Sequence, residues 1–383
     1  MSPDRPHIAE IASVRAALAE RGNPWQAAET RMSRLPEDWR AARLGVPVPT
    51  EEEIAERAGQ PEAMAAAARG AAGQAVSAMG APSASLPAAF DLRDVGGRSY
   101  VTGIRDQGGC GSCVAFGTLA SIESTASYTR GAPGLALNLS EAHLYFVHAK
   151  ARGYTCASGS WPDDLYSDCV TKGVTFEDYF PYSDAGTGSV NADWPNRLAK
   201  AVGMTNLTGN PAAIKQHIYS YGGVVSCFVV YNDFFHYRSG VYKHTTEDVA
   251  GGHCVALIGW DDAAGCWIAK NSWGTGWGDG GFFRIAYGDS FIEDYPGTRP
   301  TVFGCTSVTL RAWLPAQRTL RLFATANDAN GWAYLENYGW AHLKGGAHTT
   351  TNKLAELTHA RGTGHQVSPF IDGAELSSVL VAD

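Results

Sequence analysis

Gln107-Gly-Gly-Cys-Gly-Ser-Cys113 stands directly before VAFGTLASIEST, residues 114–125, the strongest helix pattern in the chain. A cysteine where a helix begins has a physical advantage. The positive end of the helix dipole and the free N–H groups there favour a thiolate, the nucleophilic form of cysteine. The glycines ahead of it let another backbone come close. The stretch also holds the spacing Cys110-x-x-Cys113, which fits a redox pair or half of a zinc site. No second C-x-x-C and no paired H-x-x-x-H accompanies it, and no βαβ pattern surrounds it.

Two later stretches carry matching chemistry. Gly251-Gly-His-Cys-Val-Ala-Leu-Ile-Gly-Trp260 places His253 at the start of an apolar strand, where it can face a cleft. Lys270-Asn-Ser-Trp-Gly-Thr-Gly-Trp-Gly-Asp-Gly-Gly-Phe282 follows, with Asn271 just after a second strand. An asparagine oxygen can accept from imidazole Nδ1–H and fix the ring, with Trp273 covering the bond from water. Taken singly, His253 reads as an ordinary structural histidine and the Gly/Trp segment as a hairpin.

Together the three form a Cys…His…Asn constellation whose order and separation resemble the papain family of cysteine proteases, in a bacterial-type form. The resemblance spans about residues 86–305. It begins at Leu86-Pro-Ala-Ala-Phe-Asp-Leu-Arg93, which is similar to the start of a mature enzyme. It continues through Leu139-Ser-Glu141, Cys156-Ala-Ser-Gly-Ser160 and Ser239-Gly-Val-Tyr242. It implies an α+β, papain-like fold of two subdomains, helical first and antiparallel barrel-like second. It implies Cys113 as nucleophile, His253 as its acid–base partner, Asn271 as the group orienting His253, and Gln107 as oxyanion donor with the Cys113 N–H. The implied reaction is hydrolysis of a peptide bond through a thioester by an endopeptidase. A peptide ligase or amidase on the same fold is the alternative chemistry, and a non-catalytic binding homologue the alternative class. No residue of the constellation is missing.

The resemblance also implies a Cys110–Cys156 disulfide, against two free thiols in a reducing compartment. Cys266 and Cys305 are a further candidate bridge, and Cys169 and Cys227 read as free and buried. Gly159 is expected to pair with substrate backbone. Ser160, Trp161, Cys227 and Cys254 are expected to line a pocket for a medium-sized apolar side chain, and Trp273 completes the binding residues. The chain departs from the family pattern at Val114, Gly252 and Cys254. It has no evident inserted loop with paired histidines of the kind that marks a dipeptidase.

Around this unit the 383 residues divide further. Residues 1–60 read as a helical prosegment: Ile8, Ile11, Val14 and Leu18 recur near helical spacing, and Thr50-Glu-Glu-Glu53 is a capping box. Residues 61–85 are rich in Ala, Gly and Ser and read as a mobile linker, with an Ala-rich helix as the other reading of the first half. The prosegment is expected to inhibit in cis, its linker crossing the site in reverse, with cleavage near Ser85–Ala88; a plain N-terminal accessory domain is the other reading. Residues 86–312 form the peptidase unit. Residues 313–383 read as a small C-terminal accessory domain of strands, one short helix and a hairpin at Asp372-Gly373. Trp332, Tyr334, Tyr338 and Trp340 there are either core or a binding face, and His342, His348, His359 and His365 lack a ligand spacing.

Composition excludes other classes. A net charge of −8 leaves no basic stripe for nucleic acid. No apolar run is long enough for a membrane span. Eight cysteines at irregular spacing are too few for a disulfide scaffold. No metal or other cofactor is implied, and the partners expected are peptide or protein substrates and the chain's own N-terminal segment. The sequence as written carries no visible signal peptide, so the expectation is a cytoplasmic protein or one exported by a non-standard route, and the sequons at Asn138 and Asn206 carry little weight.

Overall fold

The computed structural model describes residues 6–57, 59–73, 75–76, 84–135, 137–325 and 330–382. The helix Cys113–Thr129 is its axis. Apolar and small residues occur all round this helix, so it is buried along most of its length. It packs on the long strand Val249–Asp261, and Gly117 makes the approach close: a Cβ there would lie 3.0 Å from the Val255 carbonyl oxygen.

On one side of the axis lie the helical segments His143–Ala149 and Pro162–Thr171, close to the expected helices. On the other side is a nine-stranded sheet. From the edge it runs Trp25–Ala27, Tyr237–Tyr242, Phe282–Ala286, Cys266–Lys270, Val249–Asp261, Val224–Tyr231, Phe303–Gly304 and Thr205–Asn206, and Ala89–Asp91 adds to the long strand. Every residue of Val224–Tyr231 is buried, which explains why that strand reads as a continuous β-branched and aromatic run rather than an alternating one. The turns at Asp261-Asp262 and Gly278-Asp279-Gly280 fall where the sequence places them.

The N-terminal region is helical at Pro6–Glu20, Glu37–Ala41, Glu51–Glu56 and Gln60–Gly70. Ile11 and Leu18 of the first helix are buried, whereas Ile8 is half exposed. The capping box forms as read: Thr50 N–H donates to Glu53 Oε2 at 2.8 Å and Glu53 N–H to Thr50 Oγ1 at 3.2 Å.

Two expectations need correction. The linker expected at 61–85 is helical through Gly70, with Ala65 and Ala68 buried. The small side chains let the helix lie close on Pro211–Tyr221, where Lys215 Nζ donates to the Ala68 carbonyl. Of the remainder, residues 74 and 77–83 fall outside the described residues.

The boundary expected at 312/313 falls inside a strand. Ser307–Trp313 pairs on one side with Leu198–Val202 of the peptidase unit and on the other with Gln366–Gly373 of the tail. The tail therefore continues an eight-stranded sheet, ordered Thr319–Ala324, Gly331–Leu335, Gly339–Leu343, Glu375–Ala382, Gln366–Gly373, Ser307–Trp313, Leu198–Val202 and Val174–Thr175. The helix Ala347–Thr363 lies against it. The run WAYLENYGWAHL is a hairpin rather than one strand. Tyr338 is core, while Trp340 is 45% exposed.

Candidate active site

Cys113 is the first residue of its helix, and the side chain of Ser112 before it does not cap the helix. The Ser112 hydroxyl pairs instead with the Tyr182 hydroxyl at 2.7 Å. The helix start is thus left to act on the sulfur. The disulfide Cys110–Cys156 forms, with Cα atoms 4.6 Å apart. It fastens the nucleophile loop to the wall at 155–160, helped by Gly111 N–H donating to the Cys156 carbonyl at 3.1 Å. Tyr145 Oη donates to the carbonyls of Gly111 and Thr155 at 2.9 and 2.8 Å. Cys266 and Cys305 do not pair; Cys305 sits beside Tyr166 and Thr125, Cys266 on the strand facing Ala286.

His253 lies on the long strand as read, but its hydrogen bond differs from expectation. Its Nε2, not Nδ1, meets Asn271 Oδ1, at 2.8 Å. Nδ1 is buried with no hydrogen-bond partner, which leaves it for proton exchange with a thiol. Trp273 packs on the imidazole at 4.7 Å between centroids, in a group with Phe234, Phe235 and Trp277. It is 1% exposed and shields the histidine. Asn271 also accepts from Ser272 N–H at 2.8 Å, which fixes the amide.

The Gln107 side chain is held from both ends. Its Oε1 accepts from Ser272 Oγ at 2.7 Å. Its Nε2 donates to the carbonyls of Cys110 and Arg43, each at 2.9 Å. Arg43 belongs to the N-terminal region, so a carbonyl of that region lies on the amide expected to serve an oxyanion.

The neighbouring residues follow through the cleft. Gly45 N–H reaches the Cys113 sulfur. The Gly45 carbonyl accepts from Ser160 N–H at 2.9 Å, and Val46 N–H donates to the Gly252 carbonyl at 3.1 Å. Tyr295 Oη donates to the Pro47 carbonyl at 2.8 Å. The approach is close enough to demand glycine: a Cβ on Gly45 would lie 2.0 Å from the Gly111 carbonyl oxygen, and one on Gly159, at φ 63°, would lie 2.2 Å from that of Gly45. Gly159 thus gives room for the segment, whose Gly45 carbonyl is held by Ser160 N–H. The crossing segment is 43–47, not the stretch at 61–85.

Cys227 and Cys254 face each other across adjacent strands, and both are fully buried. They share an apolar cluster with Val46 and Tyr295, and Trp161 packs against it. Sequence reading missed Ser272, Tyr182 and Tyr295. Ser272 stands inside a motif already singled out, but Tyr182 and Tyr295 come from loops with no local signature.

Burial sets the charge state. It pushes the Cys113 thiol up, against the N–H groups of Gly45, Cys254 and Val114. It lowers His253 to about 4, against the Asn271 hydrogen bond. Under the N-terminal region burial favours the neutral form of both groups. Removing that cover restores water, and with it the case for a thiolate–imidazolium pair. Among the described residues no group of three or more His, Cys, Asp or Glu is placed to hold a metal, and no helix is long and apolar enough to cross a membrane.

A profile described as "Papain family cysteine protease" matches residues 86–296. The chain is 34% identical over 214 residues to "Cathepsin B-like CP3" of Giardia intestinalis, covering 52% of this chain and 69% of that protein. It is 35% identical over 236 residues to the "Gut-specific cysteine proteinase" of Caenorhabditis elegans, covering 54% and 70%. In fold it is similar to proCathepsin B S9 from Trypanosoma congolense, with a TM-score of 0.59, 23% identity, and coverage of 77% of this chain and 97% of that one.

Proposed function

This chain belongs to the papain family of cysteine proteases, and from that premise we propose that it is an endopeptidase held inactive by its own residues 1–85. In this reading Cys113 is the nucleophile. Its thiolate attacks the peptide carbonyl carbon, and the oxygen takes the charge between Gln107 Nε2 and the Cys113 N–H. His253 Nδ1–H then gives its proton to the leaving amine. Water, deprotonated by His253, cleaves the thioester and returns the thiol. Each oxyanion donor is worth about 2.7–4 kcal/mol in the transition state. Asn271 and Trp273 hold His253, and Ser272 holds Gln107. Trp161, Cys227, Cys254 and Tyr295 wall an apolar pocket beside the nucleophile. The bacterial-type reading stays a proposal; the relatives named above are eukaryotic proteins.

The observation that carries the proposal is the Gln107 Nε2 to Arg43 carbonyl hydrogen bond, with Gly45 directly on Cys113. Residues 43–47 occupy the path a substrate must take.

Self-processing tests it. Incubated with reductant over a range of pH, the wild-type chain is expected to shorten, with a new N-terminus near the exposed residues Ser85 and Ala88. The Cys113→Ala chain is expected to stay at full length. Equal lengths for both, together with no hydrolysis of a peptide substrate by the wild type, would overturn the reading.

A further inference from the structure

We propose that Cys227 and Cys254 form a dithiol site that oxidises reversibly to a cross-strand disulfide directly beside the nucleophile. The two residues are register partners on the antiparallel strands Val224–Tyr231 and Val249–Asp261. Directly opposed residues in such a pair have Cα atoms about 4.5 or 5.5 Å apart, depending on the pair type. Both distances lie inside the about 4.4–6.8 Å window of disulfides. Side chains of opposed residues leave the sheet on the same face. Here the two buried thiols are near enough to act on each other's ionisation.

The one thiol beside this pair among the described residues is the nucleophile, Cys113. Both members of the pair are free and fully buried, and no three-ligand metal cluster is present among the described residues. The other buried thiols are placed differently: Cys169 and Cys305 lie near one another and near Tyr166, and Cys266 lies at the far end of the long strand, opposite Asp261. The catalytic role uses neither Cys227 nor Cys254 chemically, yet the Cys254 N–H also reaches the Cys113 sulfur. The dithiol therefore borders the nucleophile and forms part of the wall on which Val46 packs. Bridging brings the sulfurs to about 2.05 Å and alters that wall.

The oxidant is a low-molecular-weight disulfide such as oxidised glutathione. One protein thiolate attacks a glutathione sulfur and expels a glutathione thiolate. The second protein thiolate then attacks the mixed disulfide at the protein sulfur and expels the other. Two protein thiols lose two protons and two electrons, and one glutathione disulfide becomes two glutathione thiols.

The test uses full-length Cys113→Ala protein, so its outcome is independent of whether the chain is a protease. The protein is equilibrated in glutathione buffers of graded oxidised-to-reduced ratio, quenched in acid, alkylated and digested with trypsin without reduction. The tryptic fragment 216–238 carries Cys227, and 244–270 carries both Cys254 and Cys266, so fragmentation must tell those two apart. The expected product is a Cys227–Cys254 linked pair that grows with the oxidised fraction and disappears on adding dithiothreitol. The Cys110–Cys156 link in the same digest reports the native fold. A Cys227→Ser version should leave Cys254 alkylated or glutathionylated. Both thiols alkylated at every ratio, or a link from Cys254 to another protein cysteine in the Cys227→Ser version, would overturn the proposal.

Discussion

At the scale of single residues, the cleft is organised by side chains that are absent or held in place. Gly45 has no room for a Cβ against Gly111, so Gly45→Val should lift residues 43–47 off Cys113. Labelling of the intact Gly45→Val precursor by a thiol-directed epoxide is expected to be about tenfold faster than for wild type, equivalent to about 1.4 kcal/mol of lost docking. An unchanged rate would mean that the contact does not hold the segment. Ser272 fixes the Gln107 amide through Oε1. In the processed enzyme Ser272→Ala should lower kcat about fivefold, the value of a hydrogen bond of about 1 kcal/mol, and leave KM unchanged. A rise in KM with constant kcat would assign Ser272 to substrate binding instead.

Among elements, the prosegment is fastened to the sheet by a short strand and an ion-pair group. Trp25–Ala27 pairs with Tyr237–Tyr242, and Trp25 Nε1 donates to the Lys243 carbonyl at 2.9 Å. Glu10 on the first helix bonds to Arg40 at 2.9 and 3.1 Å and lies 3.2 Å from His236 Nε2. Burial disfavours the Glu10 carboxylate, but Arg40 and His236 together hold it below its ordinary 4.5. Its stabilisation is complete above 4.5 and is lost as pH falls through the depressed value. Burial lowers His236 below 6.5 against the pull of Glu10, so its neutral form is favoured, and that stabilisation begins to fade as pH drops below 6.5. Both groups act in one direction. Hydrogen-exchange protection of Pro6–Glu20, corrected for intrinsic rates, should fall on acidification, and less steeply at low pH in Glu10→Gln. Protection that rises on acidification would contradict this sign.

Element existence was largely readable because periodicity reports burial. Ile11 and Leu18 mark a helix face, and the unbroken run at 224–230 marks a strand buried on both sides. What escaped reading depends on distant partners. Ala65 and Ala68 look like linker until Pro211–Tyr221 lies across them. No local pattern tells that Tyr295 will reach the Pro47 carbonyl, or that Gln107 will meet Arg43, 64 residues before it in the chain. The Nδ1/Nε2 assignment of His253 likewise depends on Asn271, just beyond the strand Cys266–Lys270, not on its own neighbours.

Over the whole molecule, the tail and the peptidase unit share one sheet through Ser307–Trp313. Val308, Leu310 and Ala312 of that strand are buried, and without the tail its outer edge would be open to pairing with other chains. The shared strand predicts that the tail unfolds together with the peptidase unit. Calorimetry of the Cys113→Ala chain should give a tail transition coincident with that of the peptidase unit, whereas a separate low-temperature transition for residues 313–383 would restore an independent domain. The central claim, that Cys113 is the nucleophile and residues 43–47 cover it, is tested most directly by mapping a thiol-directed epoxide on the wild-type protein before and after removal of residues 1–85. The account predicts that the adduct forms on Cys113 and that removal speeds its formation many-fold. Equal labelling of Cys113 in the intact chain, or an adduct confined to another cysteine, would contradict it.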